Sequence, residues 1–261
     1  MNIFSTGLHL FLIVVALIFW KLRFFPANFL VANHKTTLVW LAFVSVCAVS
    51  LYFVLERWSS PSVRDDFGEV SFYLIFSLVW IALTQGAFAF FGISIRDDVA
   101  ERRNRSAEFA AAGLTIAATC GVAGSNIGNG PGFEVVLFCA VLATSYLLVL
   151  WFLIAWRSGL ADTITIERDL GAGIRAGGWF AGTGAVIGAC MAGDWISVAA
   201  TLKDFVRYAW PLAVFACAFG LFERSISRRG HTLRPSVAIS IGAASVMIVA
   251  GVVCAGWIGR H

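Results

Sequence analysis

The chain has 261 residues, of which 59% are hydrophobic and 13% charged, and its formal net charge is +4. Mean hydropathy is +0.84. Soluble domains carry about 25% charged and about 45–50% apolar residues, so this composition excludes an ordinary soluble globule and points to lipid.

Apolar runs recur along the whole sequence, each long enough to cross a hydrocarbon core about 30 Å thick. They predict an all-α, polytopic membrane protein of about eight transmembrane helices. In chain order the spans cover about 5–23, 37–56, 69–92, 107–125, 133–155, 171–192, 203–222 and 236–257. Helix breakers separate them: Pro26, Ser60-Pro61, the Gly128–Gly132 run, Gly159, and Gly230 with Pro235. No basic residue precedes Lys21, so the first run reads as a span rather than a cleaved leader. The division that follows is an N-terminal two-span extension (1–66), a four-span core (67–195) and a C-terminal two-span extension (196–261).

Most of the 19 basic residues fall in alternate loops. Lys21, Arg23 and Lys35 lie between spans one and two. Arg96, Arg102, Arg103 and Arg105 precede span four, Arg157 and Arg168 precede span six, and Arg224, Arg228, Arg229 and Arg234 precede span eight. Arg57, Arg64 and Arg260 are the loop cations of the other side. By the positive-inside rule the first set faces the cytoplasm, which places both termini outside it. Asp97, Asp98 and Glu101 are interleaved with Arg102–Arg105, and the charge reads as a topology signal, with no nucleic-acid partner.

The core contains a repeat. Moving Arg103–Gly113 by 65 positions lays Arg103 on Arg168, Asn104 on Asp169, Ala107 on Ala172, Ala111 on Ala176 and Gly113 on Gly178. Arg234 and Ala238 open span eight in a similar way. Units of two spans keep one orientation, so the duplication is a parallel one. Asn104 and Asp169 stand where an N-cap accepts from first-turn N–H groups, and the same positions suit a cytoplasmic vestibule.

The first helix of each unit is rich in small residues. Gly173 and Gly177, Gly178 and Gly182, and Gly184 and Gly188 are spaced as GxxxG pairs, and Gly113 stands in the equivalent helix. Lipid supplies no hydrophobic drive between helices, so close backbone contact between small residues does. Spans four and six are therefore expected at the centre, with the bulky faces of spans five and seven toward lipid.

Charges inside spans are functional candidates. Glu108 and Arg175 fall at similar depth, where an ion pair between them would offset the cost of each; the alternative is that each snorkels separately to the interface. On the other side Glu134 opens span five, while Lys203, Asp204 and Arg207 open span seven; Lys203 and Arg207 share a helical face and could present cations to Glu134. Gln85 is the most isolated polar residue and calls for a partner on a neighbouring helix.

Several chemistries lack support. Gly171–Ala176 fits GxGxxA, but that pattern has meaning only in a βαβ unit. The six cysteines form no CxxC pair and suggest neither a disulfide framework nor a metal site. His9 has no second intramembrane histidine to share a haem. There is no HExxH, GxSxG or phosphate-binding loop. No cofactor and no enzymatic role are expected.

The segment from about Phe76 to Trp195 resembles a bacterial inner-membrane family catalogued as domain of unknown function 350. The residues that carry the resemblance are Arg102-Arg103-Asn104-Arg105-Ser106-Ala107 through Gly113, and Arg168-Asp169-Leu170-Gly171-Ala172 through Gly178. Asp169 replaces the family's asparagine in the second copy. Members are typically four-span proteins, so this chain would be an extended one. The resemblance implies a bacterial inner-membrane location and helix pairs packed as a repeat; it brings no activity and no catalytic residues.

Two functions follow as expectations. The first is a transporter- or channel-like protein or subunit, with a polar cavity between spans four and six approached by Asn104, Glu108, Asp169 and Arg175. The alternative is a membrane scaffold or signalling protein that binds other membrane or cytoplasmic proteins. Partners in either case are the lipid bilayer and further protein chains, including copies of itself.

Overall fold

A computed structural model describes residues 34–130, 132–227 and 234–259, together with Val14 and Ile18. Span one otherwise lies outside the described residues. The remainder is helical: α1 (His34–Trp58), α2 (Pro61–Arg64), α3 (Phe67–Ala89), a π-helical segment (Ile95–Glu101), α4 (Arg105–Ser125), α5 (Phe133–Ser158), α6 (Leu160–Thr165), α7 (Leu170–Met191), α8 (Val198–Ser227) and α9 (Val237–Ile258). No strand occurs among the described residues.

Six helices are long and apolar enough to cross a membrane: α1, α3, α4, α5, α8 and α9. The protein is therefore of the helical membrane type. The sequence reading counts eight spans, and the difference within the described residues is α7. Glycines and Arg175 dilute its hydropathy, yet nearly every residue of it is buried. A helix covered by protein on all sides has no need of side chains that dissolve in lipid.

The helices form two rows. In the first, α1, α4, α7 and α9 lie side by side in that order and run in the same direction; the second holds α3, α5 and α8, running the opposite way. The close contacts give the sense of each row. Gly113 meets Gly177 and Gly124 meets Gly188, while Gly178 meets Ala244 and Gly182 meets Gly251. In the second row Trp80 bonds Thr144, and Tyr146 bonds Ala209. Helix α9 ends its row, with 17% of its most apolar window buried against 61% for α4.

The first row is held by backbone contact. A Cβ built on Gly113 would lie 2.1 Å from the Gly177 carbonyl oxygen, and one on Gly182 would lie 2.3 Å from that of Met247. Of the packing glycines expected from the sequence, Gly113, Gly173, Gly177, Gly184 and Gly188 serve the α4–α7 contact, and Gly178 and Gly182 serve α7–α9. Two neighbours therefore use opposite faces of α7. That is why its GxxxG pairs overlap.

The expectation for the bulky helices is corrected. Leu147, Leu150 and Trp151 of α5 are buried, as are Phe205, Leu212 and Phe219 of α8. Phe152 and Trp210 face outward. Each second-row helix has an inner face that fills the space left by the small-residue row and an outer one for lipid. Trp151, Trp179, Phe180 and Phe219 form the aromatic centre, with the Trp179 and Phe219 rings stacked at 6.0 Å. Gly171–Ala176, the false dinucleotide pattern, lies within α7.

Candidate functional site

The loops before α4 and α7 match bond for bond at a spacing of 65. Arg103 and Arg168 have φ of 52° and 56°, left-handed values that few non-glycine residues adopt. The Asn104 N–H donates to the Asp98 carbonyl at 2.9 Å, and the Asp169 N–H to that of Thr163 at 3.1 Å. Each loop thus turns the chain so that the next side chain caps a helix.

Asn104 is buried, and both ends of its amide are used. Its oxygen accepts from the Ser106 and Ala107 N–H groups. Its nitrogen donates to the Ile164 carbonyl at 2.8 Å, tying α4 to the end of α6. Asp169 accepts from the Ala172 N–H at 2.8 Å and from the Arg234 guanidinium at 3.0 Å. Arg234 also reaches Glu167. Burial opposes the charge of Arg234, but the hydrogen bonds and charges of Glu167 and Asp169 outweigh it and raise its pKa above the ordinary arginine value. While both carboxylates are ionised, this contribution to stability is fully present below the ordinary arginine value and is lost as pH climbs through the raised one.

The Glu108–Arg175 pair does not form. Glu108 is half-buried and has no ion-pair partner among the described residues. Arg175 instead pairs with Glu223 of α8. Its Nε and Nη2 atoms donate to the two carboxylate oxygens at 2.6 and 2.8 Å, and Nη1 donates to Ser240 Oγ of α9 at 2.7 Å. Both charged side chains are 2% exposed. The reason is angular. Gly173 faces α4, with a built Cβ 2.1 Å from the Ser106 carbonyl. Arg175 is two residues on, about 200° around the helix, and so points away from α4.

The small-residue faces that were to flank a cavity close on each other instead. Space opens on the far side of α7, in a groove of about 810 Å³ between α7, α8 and α9. Thr183 and Val186 of α7 line it, with Tyr208, Pro211 and Phe215 of α8 and Cys254 and Trp257 of α9. Arg207 is its one charged lining residue among the described residues. On α7, Arg175, Trp179 and Thr183 follow at intervals of four and share a face. The Trp179 Nε1 and Thr183 Oγ atoms are buried and have no hydrogen-bond partner among the described residues.

A second cavity, of about 500 Å³, lies at the end of the bundle remote from Arg234. Arg207, Tyr208 and Ile258 line both spaces, so the two adjoin. Asp204 and Asp194 line the second one, with Ser59, Asn126 and Asn129. Of the charges expected here, Glu134 and Lys203 are exposed and line neither space. No ion pair joins Glu134 to Lys203 or Arg207 among the described residues. The Gly128–Gly132 loop is tied to the next one: Asn129 N and Nδ2 donate to Asp194, and Trp195 N donates to the Asn129 carbonyl. Gln85 finds its neighbour, donating to Thr115 Oγ1 at 2.6 Å.

Glu223 and Ser240 were missed by sequence reasoning. The apolar run stops at Phe222, so Glu223 beside Arg224 reads as the first loop residue. Helix α8 in fact continues to Ser227 and carries Glu223 inside the bundle. The available signal was spacing: Glu223 stands four residues after Phe219 and eight after Phe215, on one helical face.

Comparison with known proteins gives no assignment: no family model, no curated protein and no solved structure matches the chain.

Proposed function

We propose that this chain is an integral membrane protein of the transporter or channel class, whose path follows α7 between α8 and α9. The observation that carries the proposal is the run Arg175, Trp179 and Thr183 on one face of α7, of which Thr183 lines the groove and the other two lie buried beyond it. The wide cavity remote from Arg234 is the entrance, the groove is the middle, and the buried Arg175–Glu223–Ser240 cluster closes the other end. A buried charged pair in a membrane protein is retained for function more readily than for stability, since apolar residues of equal volume often stabilise as well.

In this reading the chain crosses a bacterial inner membrane eight times, counting α7 and the span around residues 5–23, and consists of two-helix units repeated in parallel. The support is the matched left-handed loops before α4 and α7 and the single direction of the first row. The Arg234 end faces the cytoplasm, on the strength of its basic loops. The resemblance to the domain of unknown function 350 family fits this picture.

Cys254 lines the groove and is exposed, while Cys217 lies elsewhere on α8. In a Cys217→Ser background, a membrane-permeant bulky maleimide should therefore modify Cys254 and stop ion flux in proteoliposomes. Flux that persists after full modification excludes this path. No flux from folded protein, with a soluble protein co-purifying at fixed stoichiometry, would favour the scaffold alternative.

A further inference from the structure

We infer that the path selects small anions, and that Glu223 gates it by occupying the anion site of Arg175. The inference rests on the transport reading above and adds the substrate class and the gate.

The argument begins with the sign of the groups. Arg207 is the groove's one charged lining residue among the described residues. Thr183 also lines the groove, and Trp179 and Arg175 follow one and two turns on along the same face of α7, buried beyond the groove. An indole N–H can only donate, and so can a guanidinium. The Trp179 N–H and the Thr183 hydroxyl lack partners among the described residues. Beyond Asp194 and Asp204 at the mouth, with Asp194 held by Asn129, the groups toward Arg175 are therefore cation, hydroxyl, donor, cation. An ion that moves along them is stabilised at each stage if it accepts hydrogen bonds and carries negative charge. Past the two carboxylates of the mouth a cation meets Arg207 and then Arg175, and a guanidinium does not deprotonate to let it by.

Arg175 already holds an anion, and that anion belongs to the protein. The Glu223 carboxylate takes two parallel N–H bonds, the geometry a free carboxylate or other small anion adopts on arginine. Glu223 is held by Arg175 from α7, with Ser240 of α9 on the far side of the guanidinium. Arg224 follows Glu223 on its own helix, and the Asp169–Arg234 pair lies beyond Ser240 toward the end of the bundle. An anion arriving by way of Trp179 replaces the two bonds of Glu223 one for one, and the carboxylate swings out with α8.

The parts differ in how firmly they are held. Helices α4, α7 and α9 are joined by backbone contacts at glycine, where side chains cannot rearrange. Helix α8 meets α7 chiefly through the Arg175–Glu223 pair and the Trp179–Phe219 stack, and Pro211 interrupts its hydrogen bonding beside the groove. A proline within a helix removes one N–H bond and kinks the axis. The gate sits on the helix that carries the proline and lacks glycine contacts to α7.

The test uses the full chain in liposomes loaded with potassium chloride. Chloride efflux is followed with a chloride electrode, and valinomycin releases the balancing potassium. Wild-type protein should release chloride, and Glu223→Gln should raise the rate several-fold. Thr183→Val, which keeps shape and removes the hydroxyl, and Trp179→Phe, which removes the indole N–H with part of the ring, should lower it. Gel filtration and thermal melts establish that each variant is folded. Chloride efflux indifferent to folded Glu223→Gln overturns the gate. Should that variant not fold, unchanged efflux in Trp179→Phe and Thr183→Val overturns the donor path. Sodium flux in place of chloride overturns anion selectivity and leaves transport standing. Absence of both fluxes in folded wild type and every folded variant overturns transport as well.

Discussion

Single atoms decide whether the first row can assemble. At Gly113 the built Cβ lies 2.1 Å from a backbone oxygen of α7, whereas at Gly256 nothing lies within 4 Å. Gly113→Ala is expected to lower the melting temperature or prevent folding, and Gly256→Ala to leave it unchanged; a neutral Gly113→Ala would mean that α4 and α7 stand farther apart. Asn104 has a double duty, and two substitutions probe it differently. Asn104→Ala removes a cap worth about 1 kcal/mol and also strips the Ile164 carbonyl of its donor. Asn104→Asp retains the cap acceptor but sets a buried carboxylate oxygen against the Ile164 carbonyl, so at neutral pH it should be at least as severe in a denaturant titration. Arg175→Ala leaves the buried Glu223 carboxylate unpaired, which in comparable cases costs about 3–5 kcal/mol. Replacing both partners by apolar residues should recover much of that loss in the same titration. A double variant as unstable as the single one would show that the pair does more than neutralise charge.

At the scale of elements, α7 and α8 differ for one physical reason. The stabilisation of α7 comes from close backbone approach on two sides, so it can do without long side chains on the faces its glycines commit to α4 and α9. Helix α8 has one flank against α5 and α7 and one flank outward, so its sequence alternates between the two requirements. Its 30 residues measure about 45 Å, longer than the hydrocarbon core, and both of its ends therefore emerge. Lys203 and Asp204 lie in its second turn and Arg207 in its third, and Glu223 lies near its other end. Pro211→Ala supplies the missing N–H to the Arg207 carbonyl. It should raise the melting temperature and, by stiffening α8, slow flux; faster flux would place the moving part elsewhere.

For the whole molecule, topology is the first measurable consequence. Reporter insertions after Asn129 and after Arg103 should give opposite results, with the Arg103 site cytoplasmic; the reverse would invert the entrance and the gate. Much of this architecture was legible in the chain. Hydropathy located α1, α3, α4, α5, α8 and α9 to within a turn or so at most ends. Small-residue spacing picked out α4 and α7, because in lipid that spacing is itself the packing force. The cap at Asn104 was legible because capping is local. The ion pair was not. Glu108 and Arg175 have matching depth, and depth can be counted along a sequence. Pairing also depends on the angle at which each side chain leaves its helix, and that angle is set by which face the glycines commit to a neighbour. Sequence by itself therefore determined that this protein is helical, suited to a membrane and built around small-residue helices, since these follow from composition and period. The tertiary structure alone decided that α7 turns Arg175 to Glu223 and that open space lies between α8 and α9. A face already closed by backbone contact leaves its charged residues only the opposite side.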